Sequence, residues 1–426
     1  MFCKTARDAG YRWAWSDTCC IDQNNNVEIQ KSFNSMFIWY HHSALTIVYL
    51  SDVPPSSKSG APAKSAWNTR IWTVPESLAP KVILFYQQDW TVYLNDRSSN
   101  HKESAAIVQK LQDSTGIDAQ SLVAFRLGMR DAREKLQWAS KRVTTLQEDI
   151  AYSLFGIFDV HLLVLYGENK QNALGRLSQE IIAHSGDITA LDWVGKSSEF
   201  NSCLPADITS YKPPPCTLPS LSEDEMQTCV STLGNIVDVE LASKLYNLLD
   251  IGTPRFANRR LRLPCNAFRV TEVRRRLGQD QESCFTYDVK AKGLQDLSIT
   301  TEDKLVQMSP KRPTRQSFLL IRPWNRHDLE LPDFADEMMD DVDDWSEPGS
   351  PSDESHSGYP GDNELVDHSR ALRLIVRLGR PFSALLLAQQ RVGEYKRVAS
   401  DNNIIAQVKD MASVRDMMDV RTLEIL

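Results

Sequence analysis

No stretch of this chain approaches about 18 consecutive apolar residues, so the sequence offers no helix able to span a bilayer. The N-terminus M-F-C-K-T-A-R-D-A-G lacks the apolar core of a secretory signal. The eight cysteines include no C-x-x-C pair, and the eight histidines, at 41, 42, 101, 161, 184, 327, 356 and 368, fall at no ligand spacing. That pattern fits neither a disulfide framework nor a zinc site, so no metal is expected, and a reducing, cytoplasmic compartment is. A G-x-x-x-x-G-K-[ST] phosphate loop is missing, which removes a nucleotide switch from the expected roles. The basic residues neither cluster with aromatics nor form a stripe, so nucleic acid is not an expected partner. No internal repeat is visible.

What is present is unevenly spread. At 426 residues the chain has room for two or three domains. Its formal charge of -8 is concentrated between Asp333 and Asp367, where thirteen Asp or Glu residues stand without a Lys or Arg. That run is also rich in Ser, Gly and Pro, so residues 333–368 read as a disordered acidic segment, a solvated tether or a docking segment for a basic partner.

The first half centres on W-A-W-S-D-T-C-C-I-D-Q at 13 to 23. The composition around Trp13 and Trp15 predicts a buried strand ended by Asp17 and Asp22, preceded by a helix over 2–9 that Gly10 closes. Ile29, Phe33, Met36, Phe37 and Tyr40 recur at helical spacing from about Asn24 to Asn26 onward. L-T-I-V-Y-L at 45 to 50 and K-V-I-L-F-Y at 81 to 86 predict two further strands, the former ended by Asp52. Between them the P-P-S-S-K-S-G-A-P loop leads to a short helix holding Arg70 and Glu76, with Pro75 in its first turn. From Ala105 to His184 the pattern is mostly helical, with a capping box at Thr145 and Glu148, a stop at Gly156, and a last helix presenting Leu174, Leu177 and Ile181. The class is α/β, a partial open sheet with flanking helices and a helical cap over residues 1–195. At the carboxyl edge of such a sheet Asp17, Cys19, Asp22 and Asp52 would line a ligand crevice.

A linker over 196–220 contains P-P-P. Residues 221–332 then read as a helix from the Ser222/Glu225 capping box to about Asp250, followed by short strands in F-R-V-T-E-V, C-F-T-Y-D-V, L-S-I-T-T and F-L-L-I-R-P. Beyond the acidic segment, A-L-R-L-I-V-R-L and S-A-L-L-L-A predict strands in 369–426 that pair with 265–325. The second half is thus a β-rich domain of α+β type.

Six ordered blocks carry a family resemblance. W-S-D-T-C-C-I-D-Q at 15 to 23, N-S-M-F-I-W-Y at 34 to 40, Y-L-S-D-V at 49 to 53, T-R-I-W-T-V-P-E-S-L-A-P at 69 to 80, W-A-S-K-R-V-T-T-L-Q-E-D-I-A-Y-S-L-F-G-I-F-D-V at 138 to 160 and L-Y-G-E at 165 to 168 resemble the signature blocks of fungal heterokaryon incompatibility (HET) domain proteins. The resemblance covers about residues 1 to 195. It implies self/non-self recognition after hyphal fusion, programmed cell death, and protein partners including self-association. The family's usual opening strand has no counterpart here, so the domain is expected to lack it. W-T-V-P-E-S also stands where W-T-L-Q-E-L is usual, and W-S-D stands where W-I-D is.

HET domains are distantly similar to TIR domains, some of which cleave the nicotinamide glycosidic bond of NAD. The resemblance of W72-T-V-P-E76-S to the TIR catalytic helix makes Glu76 the candidate catalytic acid and NAD a candidate substrate, with no bound cofactor. Arg70 and Trp72 are the neighbouring candidate ligand contacts. A carboxylate there could stabilise an oxocarbenium-like transition state at the ribose. The structural alternative is that Glu76 is an exposed first-turn residue favoured by the helix dipole. A cysteine hydrolase using Cys19 or Cys20 with His41 or His42 is a third reading, and it needs thiol and imidazole within hydrogen-bond reach.

Overall fold

The computed structural model describes residues 1–55, 65–216, 218, 221–234, 253–276, 284–291, 294–305, 317–324, 360–408 and 420–426. The chain divides into two compact units, Met1–Pro215 and Cys216–Leu426. The predicted loop over 56–62, the extension of the second-half helix from 235 to 250 and the acidic residues 333–359 lie outside the described residues.

The first unit is a helical assembly around a small parallel sheet. It opens with α1 (Phe2–Asp8), α2 (Asp17–Cys20) and α3 (Asn26–His42), followed by β1 (Thr46–Tyr49), α4 (Ala66–Thr69), α5 (Thr73–Leu78) and β2 (Ile83–Tyr86). Then come α6 (Ala105–Thr115), α7 (Ala119–Val123), α8 (Ala132–Ser140), α9 (Asp149–Tyr152), α10 (Phe155–Phe158) and α11 (Lys170–Ser185). β1 and β2 pair in parallel, Thr46 with Ile83 through Tyr49 with Tyr86. Their β-branched and aromatic side chains explain the strands, and Val48, Ile83 and Phe85 are buried. No third strand follows β2. Instead the Asn100 carboxamide oxygen accepts from the Ile83 N–H at 3.2 Å, His101 Nδ1 accepts from the Phe85 N–H at 3.0 Å, and the His101 N–H donates to the Ile83 carbonyl at 3.0 Å. Asn100 and His101, through two side chains and one backbone N–H, thereby satisfy an edge that would otherwise leave backbone groups unpaired.

α3 starts where the sequence places it, because the Asn25 side chain accepts from the Val27 and Glu28 N–H groups. It buries Ile29, Met36 and Phe37. Leu174, Leu177 and Ile181 of α11 are likewise buried. Several expectations fail. The strand through Trp13 and Trp15 does not form: Trp13 is 91% exposed, and its neighbours make no ladder. β-favouring composition without a partner strand leaves an extended segment only. The helix after Thr145 begins at Asp149, so that capping box is not built. Gly156 does not end a helix but lies inside α10, where a Cβ would stand 2.2 Å from Cβ of Phe37. The glycine allows α10 to approach α3.

The second unit contains α12 (Glu223–Gly234), β3 (Arg255–Ala257), β4 (Arg260–Arg275), β5 (Phe285–Ala291), β6 (Leu294–Thr301) and β7 (Phe318–Pro323). After these come α13 (Pro360–Leu378), β8 (Phe382–Ser383), β9 (Leu385–Arg391), β10 (Glu394–Arg397), β11 (Ile405–Val408) and β12 (Val420–Ile425). The Ser222/Glu225 box is formed reciprocally, Ser222 N–H to Glu225 Oε2 at 2.8 Å and Glu225 N–H to Ser222 Oγ at 3.3 Å. The pairings β4–β5–β6–β11–β8 lead through Ala384 into β9, which pairs β7, which returns to β4. This circuit closes around Phe268, Val289, Ile299, Leu320, Phe382 and Ala406. A closed ring leaves few free edges. Residues 371–378 are helix rather than the expected strand, and residues 360–367 of the acidic segment are helical rather than disordered. α13 packs Ala371, Leu374 and Ile375 with Met226, Val230 and Leu233 of α12.

Candidate functional site

Glu76 sits on α5, which Pro75 enters in its first turn without losing a needed donor. Three features hold the corner before it. Ser65 Oγ accepts from the Asn68 N–H at 3.2 Å, Thr73 Oγ1 donates to the Arg70 carbonyl at 2.6 Å, and the Ile71 N–H donates to the Val143 carbonyl at 3.0 Å. Arg142 lies beneath, 5% exposed, with Nη1 donating to the Asn68 carbonyl at 2.9 Å and to Thr73 Oγ1. Its Nη2 is buried without a hydrogen-bond partner. Burial lowers the Arg142 pKa to about 10 against the pull of Glu76.

The Glu76 carboxyl accepts from Trp67 Nε1 at 2.8 Å. Desolvation raises its pKa to about 7; Asp17 raises it further, while the Trp67 bond, Arg70 and Arg142 hold it down. Tyr40 is the second perturbed group, its phenol pushed up by burial and by the charges of Glu76 and Asp17. The structure thus brings Asp17, Tyr40, Trp67, Arg70, Glu76 and Arg142 into one electrostatic cluster. Trp15 extends it, with its ring 5.9 Å from Tyr40 and 5.3 Å from Trp39. A carboxyl titrating near neutrality can give or take a proton under physiological conditions, and two guanidinium groups beside it suit an anionic ligand.

The other expected ligand residues lie elsewhere or serve the backbone. Asp22 is exposed, and its Oδ1 accepts from the Asn24 N–H at 2.9 Å. Asp52 Oδ2 accepts from the Ala66 N–H at 2.7 Å at the start of α4. Trp72 donates from Nε1 to Asp149 Oδ2 at 3.1 Å and packs 4.6 Å from the Phe33 ring, against the same apolar residues as Trp15 and Tyr40. Cys19 is an exposed free thiol on α2. No hydrogen bond joins Cys19 or Cys20 to His41 or His42 among the described residues, and His41 Nδ1 lies 3.1 Å from the Ala79 carbonyl oxygen. The cysteine-hydrolase geometry is therefore not built. Asp17 does join the cluster, from a helical turn rather than from a strand end.

Tyr40, Trp67 and Arg142 escaped the sequence reading of the site. Tyr40 shares the spacing of core residues, and Trp67 and Arg142 reach Glu76 across separations that no motif encodes. Among the described residues no group of three or more His, Cys, Asp or Glu could hold a metal ion, and no helix is long and apolar enough to cross a membrane.

No solved structure matches this chain. A vegetative incompatibility protein of Podospora anserina, HET-E-1, is 38% identical over 190 residues. That stretch is 43% of this chain and 13% of the relative, so the chain spans only a small part of that relative's length. Residues 1–64 match the family described as heterokaryon incompatibility protein (HET). The N-terminal region of this chain therefore matches, at family level, the heterokaryon and vegetative incompatibility proteins.

Proposed function

We propose that this chain acts in fungal vegetative incompatibility, its first unit serving as the effector that turns non-self recognition into cell death. The supporting observation is the 38% identity over 190 residues to a vegetative incompatibility protein. In this reading the protein works in the cytoplasm with protein partners, including further copies of itself. Inducible expression of the full chain in a filamentous fungus tests it, with colony-forming units counted after induction. A fall of at least tenfold supports the effector role; unchanged viability at confirmed expression overturns it.

A second reading concerns how the effector would act, and one local feature favours it. Glu76 titrates near 7 beside Asp17, Arg70 and Arg142, in the helix that resembles the TIR catalytic element. As a TIR-like glycohydrolase, the chain would use the Glu76 carboxylate to stabilise positive charge at the ribose as the nicotinamide bond breaks. The arginines would hold the anionic part of the substrate. Purified protein should then consume NAD and lose that activity in Glu76→Gln. Viability loss that persists in Glu76→Gln would keep the effector role and remove the NAD chemistry.

A further inference from the structure

Asn100 and His101 close the outer edge of β2, but the outer edge of β1 is open. Thr46 and Leu50 donate their N–H groups to the Val82 and Tyr86 carbonyls. Alternation along the ladder therefore turns the N–H and C=O of Ile47 and Tyr49 away from β2. None of these backbone groups has a hydrogen-bond partner, and no second strand pairs with β1 among the described residues. Nothing blunts this edge: residues 43–51, S-A-L-T-I-V-Y-L-S, carry no charge and no proline. Such an edge is a template for one more strand.

The same unit holds a strand-like segment without a sheet. Trp13, Ala14 and Trp15 lie in no helix or turn, Ser16 is extended at φ -145° and ψ 133°, and the N–H groups of Arg12 to Trp15 make no hydrogen bond among the described residues. Trp13 stands almost wholly in solvent. Both ends of the segment are anchored. The Tyr11 N–H donates to the Ala6 carbonyl at 3.0 Å, and the Trp15 ring packs against Trp39 and Tyr40. Held in this way, the segment does not pair with β1 of its own chain.

We propose that the open edge of β1 receives the Arg12–Trp15 segment of a second copy, and that two copies exchange these segments reciprocally about a two-fold axis. Side-chain size fits this pairing. Thr46, Val48 and Leu50 are buried, so the added strand must bring a small residue to their face, and Ala14 is small. Alternation then sets Trp13 on the opposite face with half-buried Ile47 and exposed Tyr49, whose ring stacks 4.4 Å from Trp90. No like charges meet, because Arg12 is the only charged residue in the segment and the edge has none. Trp13 alone offers on the order of 200 Å² of surface. With the backbone around it, the matching acceptor edge and the reciprocal dock, the contact reaches roughly the 1,000 Å² that a specific dimer needs. A segment already fixed at both ends loses little further freedom on docking. The pairing stands on the sheet edge and is independent of the effector reading.

Light scattering after size exclusion tests this on the full chain. The native chain should run at twice the 48.3 kDa of one copy, and Trp13→Asp at one copy with an unchanged thermal melt, since Trp13 contributes almost nothing to its own core. A second measurement does not depend on that variant. Trp13 is replaced by photoreactive p-benzoylphenylalanine, ordinary and isotopically heavy chains are mixed and irradiated, and the joined peptides are sorted by mass. Cross-links from position 13 of one isotope to residues 45–50 of the other are expected. A monomeric native chain overturns the proposal, as do cross-links confined to one isotope or joining the copies through another surface. A dimer that persists in Trp13→Asp overturns it equally.

Discussion

Glu76 and His101 place opposite pH limits on the first unit. The Glu76 carboxyl, raised by burial to about 7 from 4.5, binds its proton more tightly in the folded protein. Its contribution is fully present below the unfolded value and is lost as pH rises toward 7. His101 behaves in the reverse way: burial lowers its pKa, against the Asp96 carbonyl and charge, because its neutral ring must accept from the Phe85 N–H. Stability from that group is present above about 6.5 and is lost as pH falls below it. Glu76→Gln keeps an acceptor for Trp67 but removes the upper limb. Relative to the native chain it should gain on the order of 2–3 kcal/mol between pH 5 and pH 8, read from denaturant melts of residues 1–215. A constant difference across that range would mean that Glu76 is not buried as a charge. Trp67→Phe should move the Glu76 titration further upward, since the lost hydrogen bond favours the ionised form. Carboxyl-carbon NMR of the two proteins checks this directly, and a downward shift would contradict the geometry.

Among the elements, those with a self-contained signal were legible. α3 carries its own cap at Asn25 and a single apolar face, and β7 and β9 are short apolar strands bounded by Pro and Gly. The misread elements depend on partners that local pattern does not name. In A-L-R-L-I-V-R-L the apolar residues suggested a strand, yet Arg373 and Arg377 stand four apart on one helical face, and Ala371, Leu374 and Ile375 pack with residues of α12. The Trp13 segment had strand composition but no neighbouring strand to pair with. The candidate site divides the same way: Glu76 and Asp17 were legible because a contiguous motif names them, whereas Arg142 reaches the corner of α4 and α5 from more than seventy residues away. Gly156 belongs to this scale too. Its Cβ would collide with Phe37, a residue of the α3 core face, so Gly156→Ala should force α10 away from α3 at a cost of roughly 1–3 kcal/mol. An unchanged melting temperature would show that the two helices separate without loss.

At the scale of the molecule, the question is where the first unit ends. The sequence points to a boundary near 195, while the compact unit runs to Pro215. Four hydrogen bonds explain why residues 196–215 belong with what precedes them. Trp193 Nε1 donates to the Cys203 carbonyl at 2.7 Å, the Tyr211 hydroxyl donates to the Ala190 carbonyl at 2.6 Å, and buried Arg133 donates to the Tyr211 carbonyl at 3.0 Å and the Pro213 carbonyl at 2.6 Å. Each ties a buried polar group to the final segment, and removing one partner of such a bond leaves the other unsatisfied at about 1–3 kcal/mol. Cutting the chain at 195 would remove the carbonyl acceptor of the buried Trp193 indole and both carbonyl acceptors of the buried Arg133 guanidinium, leaving Arg133 only its ion pair with Asp192. Their combined loss is comparable to the whole stability of a typical domain, roughly 5–15 kcal/mol. A protein of residues 1–215 should therefore melt cooperatively, whereas residues 1–195 should be unfolded or aggregated by circular dichroism and size-exclusion chromatography. A folded, cooperative 1–195 protein would instead make the last twenty residues a dispensable strap.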